Sequence, residues 1–281
     1  MVPDSIGAWR MATGSSSEVF PDERQRIILA RLARDGRVLA AELAREFRTS
    51  EDTIRRDLRD LAGAGQCRRV YGGALPLSPA FGSWADRRAE ATERKAALGS
   101  ACAALVRPRL RAGAVLFLDA GSTNLAIARA LPLDRDVTVV TNAPEIAAAL
   151  TGQRGIELVV IGGRIDPRSG AAVGARALRD LRELRADLAI LGACAVSAEA
   201  GIAAFGAEEA EFKRAVAARS ASVAAAVLND RLGTIAPFAI GPASTIAHLV
   251  VEADAPESEV ASLAGIGVEI CRAKPAATDI R

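Results

Sequence analysis

The sequence predicts an α/β protein in two parts: a small, mainly helical head, followed by a larger, doubly wound and mostly parallel β-sheet. Two observations predict this division. Near the N-terminus, short amphipathic segments are separated by turns, and from residue 113 onward apolar, strand-like runs alternate with helix-like ones. Continuous apolar strands separated by helices are typical of a parallel sheet that is covered on both faces. The 281 residues are enough for two such domains.

The composition restricts what the protein can be. With 36 lysines and arginines against 34 acidic residues, the net charge is only +2, so a nucleic-acid-binding face must come from local clustering. The four cysteines show no CxxC spacing and there is one histidine, so we predict no metal site and no cofactor. No apolar run approaches the ~20 residues of a membrane span, and the N-terminus lacks a signal-peptide pattern. We expect a cytoplasmic protein with no membrane partner.

The head begins after residues 1–20, which we predict to be a flexible extension. The stretch "PDERQRIILARLARDG" (21–36) has acidic residues in its first turn, an apolar side and a terminal glycine, a pattern typical of a helix. "AAELAREF" (40–47) predicts a second, shorter helix, and only "RT" separates it from the next helical segment. Two helices joined by so short a turn indicate a helix-turn-helix.

The third helix is predicted from "SEDTIRRDLRDL" (50–61), in which Ser50 is a favourable N-cap. Apolar residues recur here at intervals of four and three positions and form one stripe toward the first two helices: Ile54, Leu58 and Leu61. Polar residues lie off this stripe: Thr53, Arg55 and Arg56. They face either DNA or solvent. In the second case, Asp52 and Asp57 would pair with neighbouring arginines in a salt-bridged surface.

The following stretch, "AGAGQCRRVYGGALP" (62–76), favours the DNA-facing alternative. Its glycines, short β-prone segment and Gly-Gly turn predict a small hairpin, or wing, beside the third helix. Arg68, Arg69 and Tyr71 would lie on the wing and contact the DNA backbone or the minor groove. Arginines of the third helix would bind guanine or clamp phosphates in the major groove. We therefore predict a DNA-binding domain over residues 21–76, with double-stranded DNA as its partner.

The rest of the chain is divided into three segments. Residues 77–95 are predicted as a linker and helix, residues 96–255 as the sheet domain, and residues 256–281 as a C-terminal helix, strand and tail. Strands are predicted at the apolar runs 114–119, 137–141, 156–162, 186–193, 221–228, 244–251 and 267–271. Helices are predicted at 123–131, 144–151, 174–185, 207–219 and 256–264.

Three of the predicted strands end in small polar or glycine residues: "LDAGSTN", "TNAPE" and "IGGR". In open parallel sheets, ligands bind at the carboxyl ends of the strands. Asp119, Gly121, Ser122 and Thr123 precede or begin a helix, where backbone amides and hydroxyls suit a phosphate or another anion. The alternative is that all three segments are ordinary strand-to-helix turns. Lys213 either faces solvent or supplies a positive charge to this site.

Several segments resemble those of the DeoR family of transcriptional regulators. "SEDTIRRDLRDL" and "RRVYGGA" are similar to the family's winged helix-turn-helix, and "FLDAGSTN", "VVTNA", "VIGG", "VGARAL" and "AEFKRAV" resemble, in order, its effector domain. That domain is similar in fold to ribose-5-phosphate isomerases and glucosamine-phosphate deaminases. The resemblance implies a DNA-binding repressor of carbohydrate-metabolism genes. It also implies a homo-oligomer, a dimer or tetramer, that is modulated by a phosphorylated sugar.

The resemblance also implies functional residues. It adds Ser50 to the DNA-facing residues of the third helix. It implies an effector pocket formed by Asp119, Gly121, Ser122, Thr123, Thr141, Asn142, Gly162, Gly163, Lys213 and Arg231. The sequence departs from the family pattern at several positions. Ser122 stands where a threonine is common, and the aspartate of a later motif is lost or displaced to Asp230. Arg231 stands where a lysine is usual, Ala195 where a glycine is usual, and Tyr71 where a histidine is usual.

Two rival functions are compatible with the same segments. A sugar-phosphate isomerase or deaminase with an added DNA-binding head would need a proton carrier. Asp119 is the best candidate for that role, and no second group is evident in the sequence. A DNA-binding protein whose C-terminal domain only oligomerises would need no ligand at all. We predict a ligand-responsive regulator and not an enzyme.

Overall fold

A computed structural model describes residues 20–35, 38–64, 66–70, 72–76, 84–131 and 136–275. These residues form two compact units, an N-terminal unit within residues 20–76 and a C-terminal unit within residues 84–275. Most of the predicted N-terminal extension, the first part of the predicted linker and the end of the predicted tail lie outside the described residues. None of the helices in the described part of the chain is long and apolar enough to cross a membrane.

The N-terminal unit consists of helices and a three-stranded antiparallel sheet. Its elements are α1 (Pro21–Asp35), β1 (Val38–Leu39), α2 (Ala40–Glu46), α3 (Glu51–Gly63), β2 (Cys67–Val70) and β3 (Gly73–Pro76). The three predicted helices and the predicted hairpin, which is β2–β3, are all present. The sequence pattern missed β1, because two residues are too few for an alternation to show.

The core of the N-terminal unit draws on each of these helices. Its large buried side chains are Ile28 and Leu32 from α1, Leu43 from α2, and Ile54, Leu58 and Leu61 from α3. The predicted apolar stripe of α3 is therefore confirmed. In the sheet, β1 runs so close to β3 that a Cβ on Gly73 would lie 1.9 Å from the carbonyl oxygen of Val38. Only glycine fits at this position.

The C-terminal unit contains a larger set of elements. Its helices are α4 (Trp84–Ala89), α5 (Thr92–Val106), α6 (Ser122–Ala130), α7 (Pro144–Leu150), α8 (Ala175–Leu181), α9 (Ala207–Ala218) and α10 (Glu257–Gly265). Its first strands are β4 (Val115–Leu118), β5 (Val137–Thr141), β6 (Ile156–Val160), β7 (Arg164–Asp166), β8 (Ala171–Val173) and β9 (Leu188–Leu191). Its later strands are β10 (Ala195–Ser197), β11 (Gly201–Ala204), β12 (Val223–Ala226), β13 (Phe238–Gly241), β14 (His248–Val251) and β15 (Glu269–Arg272).

The main sheet has seven strands in the order β15-β14-β12-β9-β4-β5-β6, and every neighbouring pair is parallel. These are the seven strands that the sequence predicts, so the doubly wound α/β architecture is confirmed. From β4 the chain proceeds to β5 and β6 on one side, and the later strands β9, β12, β14 and β15 lie on the other. The order of the strands therefore reverses between β4 and β9, which is where open parallel sheets place their ligands.

Helices cover both faces of this sheet, and successive residues of its strands alternate between the two cores. Leu116 and Leu118 of β4 belong to the core that also contains Leu98 of α5 and Leu125 of α6. Phe117, between them, belongs to the opposite core, with residues of α8, α9 and α10. Consecutive apolar residues of a strand are thus buried on opposite faces of the sheet, as expected for a parallel sheet with helices on both faces.

The structure corrects the predicted elements in three places. The charged helix predicted after residue 83 is two helices, α4 and α5, separated at Ala91, whose φ of 50° is left-handed. The domain boundary predicted at residue 96 falls inside α5. The sequence also missed the antiparallel pair β7–β8 and the small sheet β10-β11-β13, whose strands are only three or four residues long. β15 joins the main sheet beside β14.

Candidate functional site

The outward face of α3 is the first candidate site. Ser50 caps the helix, since its Oγ accepts a hydrogen bond from the backbone N–H of Thr53 at 3.1 Å. Its Oγ also lies 2.9 Å from Oγ1 of Thr53, so the two hydroxyls are hydrogen-bonded to each other. The apolar stripe of α3 is buried, so the helix presents its polar residues on the opposite, exposed face.

Arg55 and Arg56 are both exposed on this face, but they differ in their partners. Arg55 donates to Glu51 Oε2 at 2.8 Å and lies 3.5 Å from Asp52 Oδ1, so Asp52 pairs with a neighbouring arginine of the same helix. Arg56 forms no ion pair with any residue that the structure describes. The same is true of Arg59, one helical turn further on, which the sequence prediction did not include.

Asp57 is not part of this surface. It is buried and accepts from the guanidinium of Arg24 on α1, with Nε 2.5 Å from Oδ2 and Nη2 3.1 Å from Oδ1. The prediction that Asp57 pairs with a neighbouring arginine of its own helix is wrong, because its partner is 33 residues away. This buried ion pair joins α3 to α1. Asp57 therefore does not neutralise the exposed arginines of α3.

The wing is described only in part. Arg69 on β2 is exposed, and the strand pairs with β3 in the predicted hairpin. The side chain of Arg68 and the whole of Tyr71 lie outside the described residues, so their contacts with DNA stay predictions.

The second candidate site is a pocket of the C-terminal unit at the carboxyl ends of β4, β9 and β12. Five predicted effector residues line it: Gly121, Ser122, Thr123, Lys213 and Arg231. Polar residues that the prediction did not include also line it: Arg87, Lys95, Asn124, Ser169, Cys194 and Glu209. Asp119 lies directly beneath, bonded to Lys213. The pocket therefore lies at the reversal of strand order between β4 and β9.

An ion pair forms the floor of this pocket. Lys213 of α9 and Asp119, which follows β4, are almost completely buried and are hydrogen-bonded to each other. Gly192, which follows β9, binds both: its N–H donates to Asp119 Oδ2 at 2.9 Å, and its carbonyl accepts from Lys213 Nζ at 2.7 Å. A Cβ on Gly192 would lie 2.3 Å from the carbonyl oxygen of Ala120. Glycine is needed here because the two strand ends approach so closely.

Lys213 carries a positive charge in this setting. Burial lowers its pKa, but the carboxylates of Asp119 and Glu209 outweigh burial and raise the pKa above its ordinary value. Glu209 Oε1 lies 3.4 Å from Lys213 Nζ and 3.7 Å from the sulfur of Cys194. Burial, followed by the charge of Glu209, raises the pKa of the Cys194 thiol to about 12, which keeps it protonated. Of the two alternatives for Lys213, the solvent-facing one is wrong, because its side chain is buried.

The N-terminus of α6 forms one wall. Gly121 precedes the helix with a φ of 152°, and Ser122 and Thr123 begin it. Asn124 is buried, and its Nδ2 donates to the carbonyls of Asp119 at 2.8 Å and Ile190 at 3.2 Å. These two bonds fix the orientation of the amide, and its Oδ1 accepts no hydrogen bond from any described residue. The wall thus offers helix amides and hydroxyls to a ligand.

Three further cations line the pocket: Arg87, Lys95 and Arg231. Burial lowers the pKa of Lys95; Glu90 opposes this effect, and the charges of Arg231 and Arg87 add to it. Burial also lowers the pKa of Arg231, with Asp230 opposing and Arg87 adding to the effect. The positive groups therefore repel one another, and an anion bound among them would relieve that repulsion.

Five of the predicted effector residues do not line this pocket: Asp119, which lies beneath it, and Thr141, Asn142, Gly162 and Gly163. Thr141 and Asn142 are buried behind it, where Thr141 Oγ1 accepts from the N–H of Ala143 and Asn142 bridges the N–H of Ala120 to the carbonyl of Ala172. They hold the loops of the pocket in place from below. Gly162 and Gly163 belong to the turn before β7, and a Cβ on Gly163 would lie 3.1 Å from the carbonyl oxygen of Val173. No cluster of ligands for a metal ion occurs among the residues that the structure describes.

A winged helix-turn-helix with exposed arginines, joined to a unit with an electropositive pocket, defines a class: DNA-binding regulators with a separate sensor domain. Residues 24–79 match the family model of the DeoR-like helix-turn-helix domain, and residues 90–253 match that of the DeoR C terminal sensor domain. The chain belongs to the DeoR family of transcriptional regulators.

Individual relatives are similar over most of their length. The glycerol-3-phosphate regulon repressor of Escherichia coli (strain K12) is 31% identical over 252 residues, which are 89% of this chain and 98% of the relative. The HTH-type transcriptional regulator GolR of Listeria innocua is 30% identical over 236 residues, 83% of this chain and 91% of GolR. The solved sorbitol operon regulator SorC from Klebsiella pneumoniae aligns over 85% of this chain and 98% of SorC, with 13% identity and a TM-score of 0.41.

Proposed function

We propose that this protein represses genes of carbohydrate metabolism by binding operator DNA, and that a phosphorylated sugar or polyol in the pocket modulates this binding. The observation that carries the proposal is the position of α3: its apolar stripe is fully buried, and its polar face with Arg55, Arg56 and Arg59 is exposed beside the wing. A helix held in this way can enter the major groove of DNA with its arginines toward the bases or the phosphates.

The electrostatics of the pocket support an anionic effector. Lys95 and Arg231 place positive charge beside the N-terminus of α6, whose amides and hydroxyls suit a phosphate group. The charge of Lys213 is already neutralised by Asp119 and Glu209, so we assign Lys213 a structural role in the floor of the pocket. The name of the glycerol-3-phosphate regulon repressor points to the same class of compound.

We further propose that the pocket binds its ligand without turning it over. Isomerisation or deamination needs a carboxylate or histidine that is free to carry a proton. Asp119, the candidate in the sequence, has one carboxylate oxygen bonded to both Lys213 and Gly192. Glu209 is held near Lys213 as well. This arrangement supports a sensor, as do the names of the relatives, which are transcriptional regulators.

Oligomerisation is part of the proposal. A single winged helix-turn-helix unit buries little surface on DNA, and specific sites of such proteins are commonly paired half-sites bound by two units. A homo-oligomer, a dimer or a tetramer, would supply them. Sedimentation equilibrium of the full chain is the measurement that decides between these states.

Calorimetry with the full-length protein tests the effector. We expect glycerol 3-phosphate or another sugar or polyol phosphate to bind, and glycerol without phosphate not to bind. Assays for turnover of the same compounds distinguish a sensor from an enzyme. Sequencing the genomic DNA fragments that the protein retains, with and without these ligands, identifies the operator. If no phosphorylated compound binds and retained DNA is unaffected by any of them, the sensing half of the proposal is wrong.

A further inference from the structure

Arg87 is the pocket residue that neither matched domain accounts for. The helix-turn-helix match ends at residue 79 and the sensor match begins at residue 90, so α4, with Arg87, lies between them. α4 is the first described helix of the C-terminal unit along the chain. A residue that lies between the two matched domains in sequence thus lines the proposed effector site.

Polar contacts hold α4 on the C-terminal unit together with the partly buried ring of Trp84, which packs against the hydrophobic core, and none of its residues is fully buried. Trp84 Nε1 donates to Glu145 Oε1 at 2.8 Å, and Arg88 Nη1 lies 3.2 Å from both oxygens of the same carboxylate. The hydrogen bond from Trp84 and the nearby Arg88 guanidinium hold the pKa of Glu145 below its usual value. Glu145, on α7, is therefore ionised and binds both Trp84 and Arg88 of α4.

The pocket side of α4 is tied to the loop between β7 and β8. Arg87 Nη2 donates to the backbone carbonyl of Arg168. Two residues later, a Cβ on Gly170 would lie 2.9 Å from Cδ2 of Trp84, so this loop packs closely against α4. Lys95, itself a pocket residue, donates to the carbonyl of Arg87 and, at 2.6 Å, to that of Glu90. Ligand contacts at this side of the pocket would act directly on α4.

We propose that Arg87 binds the anionic group of the effector, and that this contact couples occupancy of the pocket to the position of α4. The inference rests on the proposed function, because it needs an anion in the pocket. A ligand shifts a conformational equilibrium only by its differential affinity for the two states. A bond from a charged guanidinium to a phosphate supplies such a difference. Polar contacts and the partly buried ring of Trp84 hold α4 in place, and it has no fully buried side chain.

Substitution of adjacent arginines tests the binding contact. Arg87→Gln removes a positive charge that lines the pocket. Arg88→Gln is the control, because Arg88 pairs with Glu145 and does not line the pocket. By calorimetry with glycerol 3-phosphate and with inorganic phosphate, we expect Arg87→Gln to weaken binding by about 10- to 100-fold. We expect Arg88→Gln to bind as the unaltered protein does, and Arg87→Lys to restore part of the affinity.

Trp84 provides a direct readout of α4. The chain has two tryptophans, so Trp9→Phe leaves Trp84 as the single emitter. We expect saturating ligand to change the emission of Trp84 in the otherwise unaltered protein and in Arg88→Gln. In Arg87→Gln, brought to saturation as verified by calorimetry, the change should be lost. An equal change in saturated Arg87→Gln would overturn the coupling.

The outcomes separate this inference from the function on which it rests. If the unaltered protein binds none of the phosphorylated ligands, the proposed function fails, and the role of Arg87 fails with it. If it binds them and Arg87→Gln binds them equally well, the proposed function stands and the role of Arg87 is wrong.

Discussion

The two units use charged side chains in opposite ways. In the N-terminal unit, Arg55 is about half exposed, and its partner Glu51 lies four residues earlier in the same helix. In the C-terminal unit, Lys213 is 2% exposed, and its partner Asp119 lies 94 residues away. An exposed ion pair contributes little to stability and exchanges readily for another partner, whereas a buried charge deprived of its partner is strongly destabilising. The comparison indicates that α3 carries exchangeable charges on its exposed face, while the floor of the pocket is built on a buried ion pair.

The largest expected effect comes from breaking the buried pair. Asp119→Ala leaves Lys213 buried without its main partner, and we expect the free energy of unfolding to fall by about 3–5 kcal/mol. Removal of the exposed carboxylate in Glu51→Ala should cost less than about 1 kcal/mol. Urea denaturation of both variants measures the contrast. Equal losses in the two would contradict the distinction between fixed and exchangeable charges.

The next effect concerns DNA. Arg56→Ala removes an exposed guanidinium that has no ion-pair partner among the described residues, and operator affinity should fall by about 1–3 kcal/mol if the contact reads a base. Arg55→Ala should cost less, because Arg55 first has to leave Glu51. Fluorescence anisotropy with a retained DNA fragment, repeated over a range of salt concentrations, tests this order. A larger loss in Arg55→Ala would reverse it.

A smaller effect depends on pH. Because the pKa of Lys95 is lowered from its ordinary value of 10.5, part of the lysine loses its proton below that pH. A bound anion favours the protonated form, so binding takes up a proton, and affinity falls as pH rises through the lowered pKa. The slope cannot exceed about tenfold per pH unit for a single group. Lys95→Arg, which stays protonated, should remove this slope; a slope that persists would implicate another group.

The smallest effect sharpens the comparison within α3. Glu51→Gln removes the i,i+4 partner of Arg55, and we expect the free energy of unfolding to fall by about 0.3–0.5 kcal/mol. Operator affinity should rise, because Arg55 is released and a negative charge near the DNA is removed. Anisotropy titrations against the unaltered protein measure the gain. A loss of DNA affinity would indicate that Glu51 positions Arg55 for its contact.

The same contrast explains which parts of the structure the sequence predicts. In α3 the cap, the apolar stripe and the exposed arginines follow from spacing within one helix, so Ser50, Ile54 and Arg56 are found as predicted. Apolar runs followed by glycine or small polar residues predicted where the strands end. The same pattern located Asp119 and Gly121. Local patterns of this kind are set by the backbone period and need no knowledge of distant contacts.

The pocket was predicted only in part, because its other residues come from distant places in the chain. Arg87 and Glu209 lie on helices whose local pattern gives no sign of a pocket, and Gly192 is hidden at the end of an apolar strand. The resemblance to the DeoR family also placed Asn142 in the pocket. Its amide instead bonds to the backbone of Ala120 and Ala172, an orientation that sequence spacing does not determine.

The most direct test of the account is the affinity for operator DNA measured with and without a saturating sugar or polyol phosphate. If effector binding and DNA binding are coupled as proposed, we expect the dissociation constant of the full-length protein to change by at least about fivefold. An unchanged dissociation constant, with calorimetry proving that the pocket is occupied, would contradict it.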